Sequence, residues 1–175
     1  MNITEHFTFE ELYASEIADR NHIDNTPSDP QILDNLKTLA LNLESVRRLL
    51  GNPIHVNSAY RSLPVNNILG SKPTSAHCKG LAADIICPAF GSPVDIVNAI
   101  ISSSIEYNQV ILEYDRWCHI GFSTDTPRLQ KLIIDKNGTI TNMAALIMSL
   151  KLSFKTFHES FKTCLTEITL IIRTS

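Results

Sequence analysis

Apolar residues recur along this chain in two different periods, and the switch between them outlines its elements. Ile32, Leu33, Leu36, Leu39, Ala40, Leu43, Val46, Leu49 and Leu50 return at three- and four-residue spacing, which stacks them on one stripe of a helix. Ser28 or Asp29 followed by Pro30 supplies a start, and Gly51 supplies a stop. A long amphipathic helix is therefore predicted up to Gly51. Ahead of it, Thr8-Phe9-Glu10-Glu11 has the form of a capping box, so a short helix begins near Phe9. Residues 21–28 are polar and turn-rich, and Thr26-Pro27 argues against helix there.

Beyond Pro53 the pattern changes. Ile54 to Asn57 reads as a short strand, and residues 61–79 read as a long polar loop. A structureless loop of that length in a small domain is usually functional. Gly80 to Cys87 reads as a strand. Ser92-Pro93 then caps a second helix running to about Ser104. Asn108 to Leu112 and Trp117 to Phe122 form two strands joined by a tight turn through Tyr114-Asp115-Arg116. Lys131 to Asp135 is a last strand, closed by a turn at Lys136-Asn137-Gly138. Residues 140–175 hold two apolar patches, Met143 to Leu152 and Cys164 to Ile172. They could pack as one or two helices or form an appendage. We divide the chain into a domain at 1–139 and a C-terminal extension at 140–175.

Composition narrows the function classes. The 175 residues suit one domain with its own core, 43% are hydrophobic and 19% charged. A net charge of −3 gives no reason to expect nucleic acid or an anionic membrane surface as partner. No apolar run approaches the ~20 residues of a membrane span. The start, MNITEHFTFEEL, lacks a basic stretch followed by an apolar one, so synthesis without a secretory signal is expected. Cys78, Cys87, Cys118 and Cys164 form no C-x-x-C pair, and free, mostly buried thiols are expected. A monomer is the default expectation.

The candidate chemistry lies in Ser75-Ala76-His77-Cys78-Lys79-Gly80-Leu81-Ala82-Ala83-Asp84 and, downstream, Trp117-Cys118-His119-Ile120. Zinc takes imidazole nitrogens and carboxylate oxygens at about 2 Å, and a catalytic zinc keeps one position for water. His77, Asp84 and His119 are such a set. Gly80, Ala82 and Ala83 are small enough to let backbone and metal approach. Strand alternation puts Trp117 and Gly121 on the face of His119, with Cys118 and Ile120 on the other. His6, His22, His55 and His158 have no carboxylate or cysteine at ligand spacing and read as surface or structural residues.

The segment S-A-H-C-K-G-L-A-A-D resembles the S-x-H-x-x-G-x-A-x-D signature of the M15 zinc peptidases, the D-alanyl-D-alanine carboxypeptidases and phage endolysins. W-C-H-I is similar to that family's W-x-H-[IV] element. H-F-T-F-E-E-L, I-D-N-T-P, the long helix and N-S-A-Y-R-S resemble the compact phage-type branch. The resemblance spans roughly residues 4–125.

It implies an α+β fold of the Hedgehog/D-Ala-D-Ala peptidase type, a small antiparallel sheet with flanking helices and a zinc site at the sheet. It implies His77, Asp84 and His119 as zinc ligands, and Arg61 as a contact to the substrate carbonyl or carboxylate. Ser75 would touch substrate or brace the loop. Several relatives place the acid/base three residues before the last histidine ligand. Here that position is Arg116, which cannot act as a base at neutral pH. Glu113 and Asp115 are the candidates left, and similarity to E-[FY]-x-x-W-x-H favours Glu113. The implied substrate is the peptide stem of bacterial peptidoglycan, cut by a D,D-carboxypeptidase or endolysin-like endopeptidase acting at the cell wall, during phage lysis or as part of a virion. The alternative is a zinc-bound, catalytically inactive cell-wall-binding module.

Overall fold

The structure is a computed structural model and describes residues 2–141. The expectation for the C-terminal extension, and Cys164 and His158 with it, falls outside those residues from 142 onward. The described part is α+β, a six-stranded sheet with helices beside it.

The long helix, Pro30–Leu50 (α3 in chain order), is capped as its sequence prescribes. Asp29 Oδ accepts from the Gln31 amide, Pro30 opens the first turn, and Gly51 ends the helix at φ 62°. Its stripe of Leu36, Leu39, Ala40, Leu43, Val46 and Leu50 is buried. Two short helices precede it, Phe9–Tyr13 (α1), capped by Thr8, and Glu16–Arg20 (α2), capped by Ser15. The second was not expected, because five residues carry too little period to be read. Pro93–Ile101 (α5) has a full capping box between Ser92 and Asp95 and stops before the predicted Ser104.

The strands are His55–Ser58 (β1), Ala82–Ile86 (β2), Gln109–Glu113 (β3), Trp117–Gly121 (β4), Gln130–Asp135 (β5) and Gly138–Ile140 (β6), in the order β1-β2-β4-β3-β5-β6. The expected all-antiparallel sheet is corrected in one place: β5 runs parallel to β3. The reason is the short link 122–129. It steps over β3 and is tied to the near end of that strand, by Leu129 N–H to the Tyr107 carbonyl and Gln130 N–H to the Asn108 carbonyl, so β5 starts at the end where β4 finishes. It must then run against β4, and therefore with β3. β6 follows the Lys136-Asn137 turn and had no predictable pattern of its own.

Alternation sorts the central strands into two faces. Ala83, Ile85, Val110, Leu112, Cys118 and Ile120 are each essentially inaccessible. They form the core face, where α5 packs on β3 and β4 and also meets α3. Removing an isoleucine or leucine from water stabilises by ~1.5–3 kcal/mol, so this face holds the sheet in place for the other. The predicted loop 61–79 is partly ordered: Leu63–Ile68 is helical (α4), and Ala76–Lys79 is a single 3-10 turn. No described helix is long and apolar enough to cross a membrane.

Candidate metal centre

Asp84 on β2 and His119 on β4 are direct partners in the antiparallel register. Opposed residues project from the same face, so the pairing brings both side chains together on the face away from the core. His77 arrives from the 3-10 turn. Ser75 Oγ accepts from the His77 amide at 3.3 Å, so Ser75 braces this turn. Gly80 ends the turn at φ 67°, and a Cβ there would lie 3.1 Å from Leu36 Cγ and 3.2 Å from the Ile32 carbonyl. Gly80 is thus needed for its backbone and for the approach of α3, not to make room for an ion.

The three side chains are buried, and their ligand atoms converge. His77 Nε2 lies 3.1 Å from His119 Nδ1 and 3.3 Å from Asp84 Oδ1, and His119 Nδ1 lies 2.9 Å from the same oxygen. A tetrahedral ion with bonds of ~2.0–2.1 Å sets its ligand atoms ~3.3 Å apart. The observed spacing and the two-nitrogen, one-oxygen donor set both suit zinc. Among the described residues this is the one group of histidine, cysteine and carboxylate side chains placed to hold a metal.

The tautomer of His77 is set by its surroundings. Its Nδ1 lies 2.6 Å from the Ala59 carbonyl, which can only accept, so Nδ1 carries the hydrogen and the Nε2 lone pair faces the cluster. Burial lowers the His77 pKa, with the Asp84 charge opposing, which keeps the imidazole neutral and able to ligate. Burial alone would raise the Asp84 carboxyl. The two histidines beside it outweigh burial and hold the carboxyl well below the usual carboxylate range.

Arg61 sits behind the carboxylate. Its Nη2 donates to Asp84 Oδ2, its Nε donates to Ser58 Oγ at 2.8 Å, and its amide donates to the His77 carbonyl at 3.2 Å. The guanidinium therefore orients the Asp84 carboxylate between itself and the two histidines, a contact not anticipated from the sequence. It also lines the cleft that opens over the three candidate ligands, about 1230 Å³ in volume.

Glu113 lies on the same face of the sheet, two pairs along from the Ile111–His119 pair, and it too lines the cleft. Its partner across the ladder, Trp117, donates its indole N–H to Glu113 Oε2 at 3.1 Å. Burial, helped by the Asp84 charge, raises the Glu113 pKa; His119, the indole and Arg61 act the other way. Asp115 is exposed in the turn at φ 55°, beside Tyr114 at φ 52°, and does not line the cleft; Arg116 is exposed as well.

Three buried asparagines missed in the sequence hold the walls. Asn25 Nδ2 donates to the Tyr13 and Tyr60 carbonyls while its Oδ1 accepts from the Ser62 amide. Asn35 Nδ2 donates to the Lys79 carbonyl. Asn66 Nδ2 donates to the Ser71 and Lys72 carbonyls. Two of them stand in or beside helical stretches, where their type alone gives no hint of a distant partner. Cys87 and Cys118 are buried and Cys78 is half-buried, all three free; burial pushes the Cys78 and Cys118 thiols up. His6 pairs with Glu44 at 2.9 Å on the surface, and His22 and His55 are exposed.

The sequence profile of the Peptidase M15 family matches residues 5–121, which include all three ligand candidates and Glu113. No curated protein matches the chain.

Proposed function

The chain belongs to the M15 peptidase family, and on that premise we propose that it is a zinc-dependent hydrolase of peptide bonds in bacterial peptidoglycan stems. The fold to which we assign it is that of the D-Ala-D-Ala peptidases. The observation that carries the reading is the convergence of His77 Nε2, His119 Nδ1 and Asp84 Oδ1 under a cleft that Glu113 also faces.

A zinc ion held by these three atoms supplies Lewis acidity towards a peptide carbonyl and towards water. Glu113 is the acid/base. Its Oε2 is held by the Trp117 indole, which leaves Oε1 to take the proton of the attacking water and return it to the leaving amine. A carboxyl raised by burial accepts and releases a proton more evenly near neutral pH than a solvated one. Glu113 is preferred to Asp115 because Asp115 lies in an exposed turn and does not line the cleft. Arg61 holds Asp84 Oδ2, and so keeps Oδ1 turned to the ion. The free N–H groups of its fork are placed on the cleft lining, where they can meet the carbonyl oxygen as it gains charge.

The bond cut is that of a D,D-carboxypeptidase or of an endolysin-like endopeptidase, and the partner is the stem peptide. Mass spectrometry of purified peptidoglycan incubated with the zinc-loaded protein tests this. We expect stem-peptide fragments from a single bond type, absent in Glu113→Gln. Intact peptidoglycan after incubation would instead leave a zinc-bound wall-binding module.

A further inference from the structure

The cleft continues well past the metal ligands, away from Glu113. Glu113 is at one end of β3, and Gln109, paired with Gly121, is at the other. Beyond that end the chain leaves the segment matched to the family, which stops at residue 121. The link 122–129 nevertheless contributes Phe122, Ser123, Asp125 and Arg128 to the cleft lining.

This link is tied down at both ends. The Phe122 amide donates to the Leu81 carbonyl at 2.8 Å, the Leu129 amide to the Tyr107 carbonyl at 3.3 Å, and the Gln130 amide to the Asn108 carbonyl at 3.1 Å. Pro127 restricts the backbone just before Arg128. Asn108 Oδ1 then accepts twice from Arg128, from its amide at 3.3 Å and from its Nε at 3.1 Å. An exposed arginine is ordinarily free to swing. This one is held by backbone and by Nε, while its two terminal nitrogens have no partner among the described residues. Asp125, on the same lining, is not paired with it. Lys72 and Lys79 also line the cleft, but their ammonium groups have no described partner to fix them.

We infer that Arg128, pinned by Asn108, is a subsite for a carboxylate of the bound peptide, three or four residues along from the bond that is cut. A guanidinium with both Nη groups free matches a carboxylate in fork geometry. The spacing follows from the strands: His119 pairs with Ile111, and Asn108 is three residues before Ile111, about 10 Å along and about 5 Å across, so Arg128 is anchored roughly 11 Å from the His119 position. An extended peptide, at about 3.3 Å per residue, covers that distance in three or four residues. The inference rests on the peptidase reading of the cleft.

The test crosses protein and substrate changes. Full-length zinc-loaded protein and Arg128→Ala are assayed on synthetic stem peptides in which each carboxylate in turn is free or amidated. Arg128→Ala is expected to raise KM on the free peptide by about tenfold, more than it lowers kcat. Amidating one particular carboxylate should raise the wild-type KM by the same factor and add nothing in Arg128→Ala. Arg128→Lys should recover part of the loss. Effects that multiply, or a KM that Arg128→Ala leaves unchanged, overturn the subsite. If wild type cleaves none of the peptides, the peptidase reading fails separately. The subsite is then read from equilibrium binding of the same peptides, where equal affinity for free and amidated forms overturns it. Arg128 is exposed, so an unchanged Tm is expected and checks that the fold is intact.

Discussion

On β2, β3 and β4, residues one position apart live in different media. Ala83, Ile85, Val110, Leu112, Cys118 and Ile120 are sealed in the core, with α5 against β3 and β4. Their immediate neighbours Asp84, Glu113 and His119 face the cleft. The backbone is shared, yet one face supplies burial energy and the other holds polar groups whose desolvation opposes folding. Period-two alternation thus lets stability and chemistry be changed separately, with the core face fixing the register that aims the ligands.

The largest effect should come from removing a ligand. His77→Ala is expected to lower bound zinc from near one equivalent per chain to none by atomic absorption, and to abolish the rise in Tm on zinc addition. Wild-type protein free of zinc after zinc loading would break the assignment of the polar face. Next, Glu113→Gln should retain zinc and lose ~10²–10⁴-fold in peptidoglycan cleavage; full activity in that variant, with loss in Asp115→Asn, would move the base to the turn.

Ile120→Ala addresses the other face. It should cost about 2–5 kcal/mol in denaturant unfolding and leave zinc stoichiometry at one. Zinc loss without loss of stability would show that the faces are not separable. Gly80→Ala, where the left-handed backbone and the contact with α3 coincide, should cost about 1–3 kcal/mol by the same measurement.

The smallest effect is in pH dependence. Burial raises the Glu113 pKa, so the acid limb of kcat/KM should lie above the ordinary glutamate value. Trp117→Phe removes a donor that lowers this pKa and should shift the limb to higher pH. The same group affects stability. The folded state binds the extra proton between the unfolded and folded pKa values, so its contribution falls as pH rises through that window. Glu113→Gln should therefore melt slightly higher than wild type above the window and no higher below it.

Much of this was legible in the sequence where the signal is local. Asp29-Pro30 and Gly51 bound α3, and Ser92-Pro93 opens α5, because caps act through neighbouring backbone groups. Donor types and spacing made His77, Asp84 and His119 a possible ligand set, and the resemblance of their flanking residues to the M15 signature singled them out. By contrast α2, α4, the 3-10 turn and β6 are too short for a period to register. The link 122–129 reads as plain loop, and nothing in Asn108 or Arg128 announces their contact.

What the chain's own letters determined, then, is which atoms are available and how they alternate: two imidazoles, a carboxylate, and strands with one apolar face. Only the tertiary structure decided that His77 offers Nε2 and His119 offers Nδ1, that Arg61 takes the second oxygen of Asp84, and that Glu113 rather than Asp115 faces the cleft. The physical reason is separation along the chain. His77 and His119 are 42 residues apart, and Asp84 and His119 are 35 apart. Bringing such groups within about 3 Å requires a sheet register held by packing elsewhere in the molecule, which no local pattern encodes.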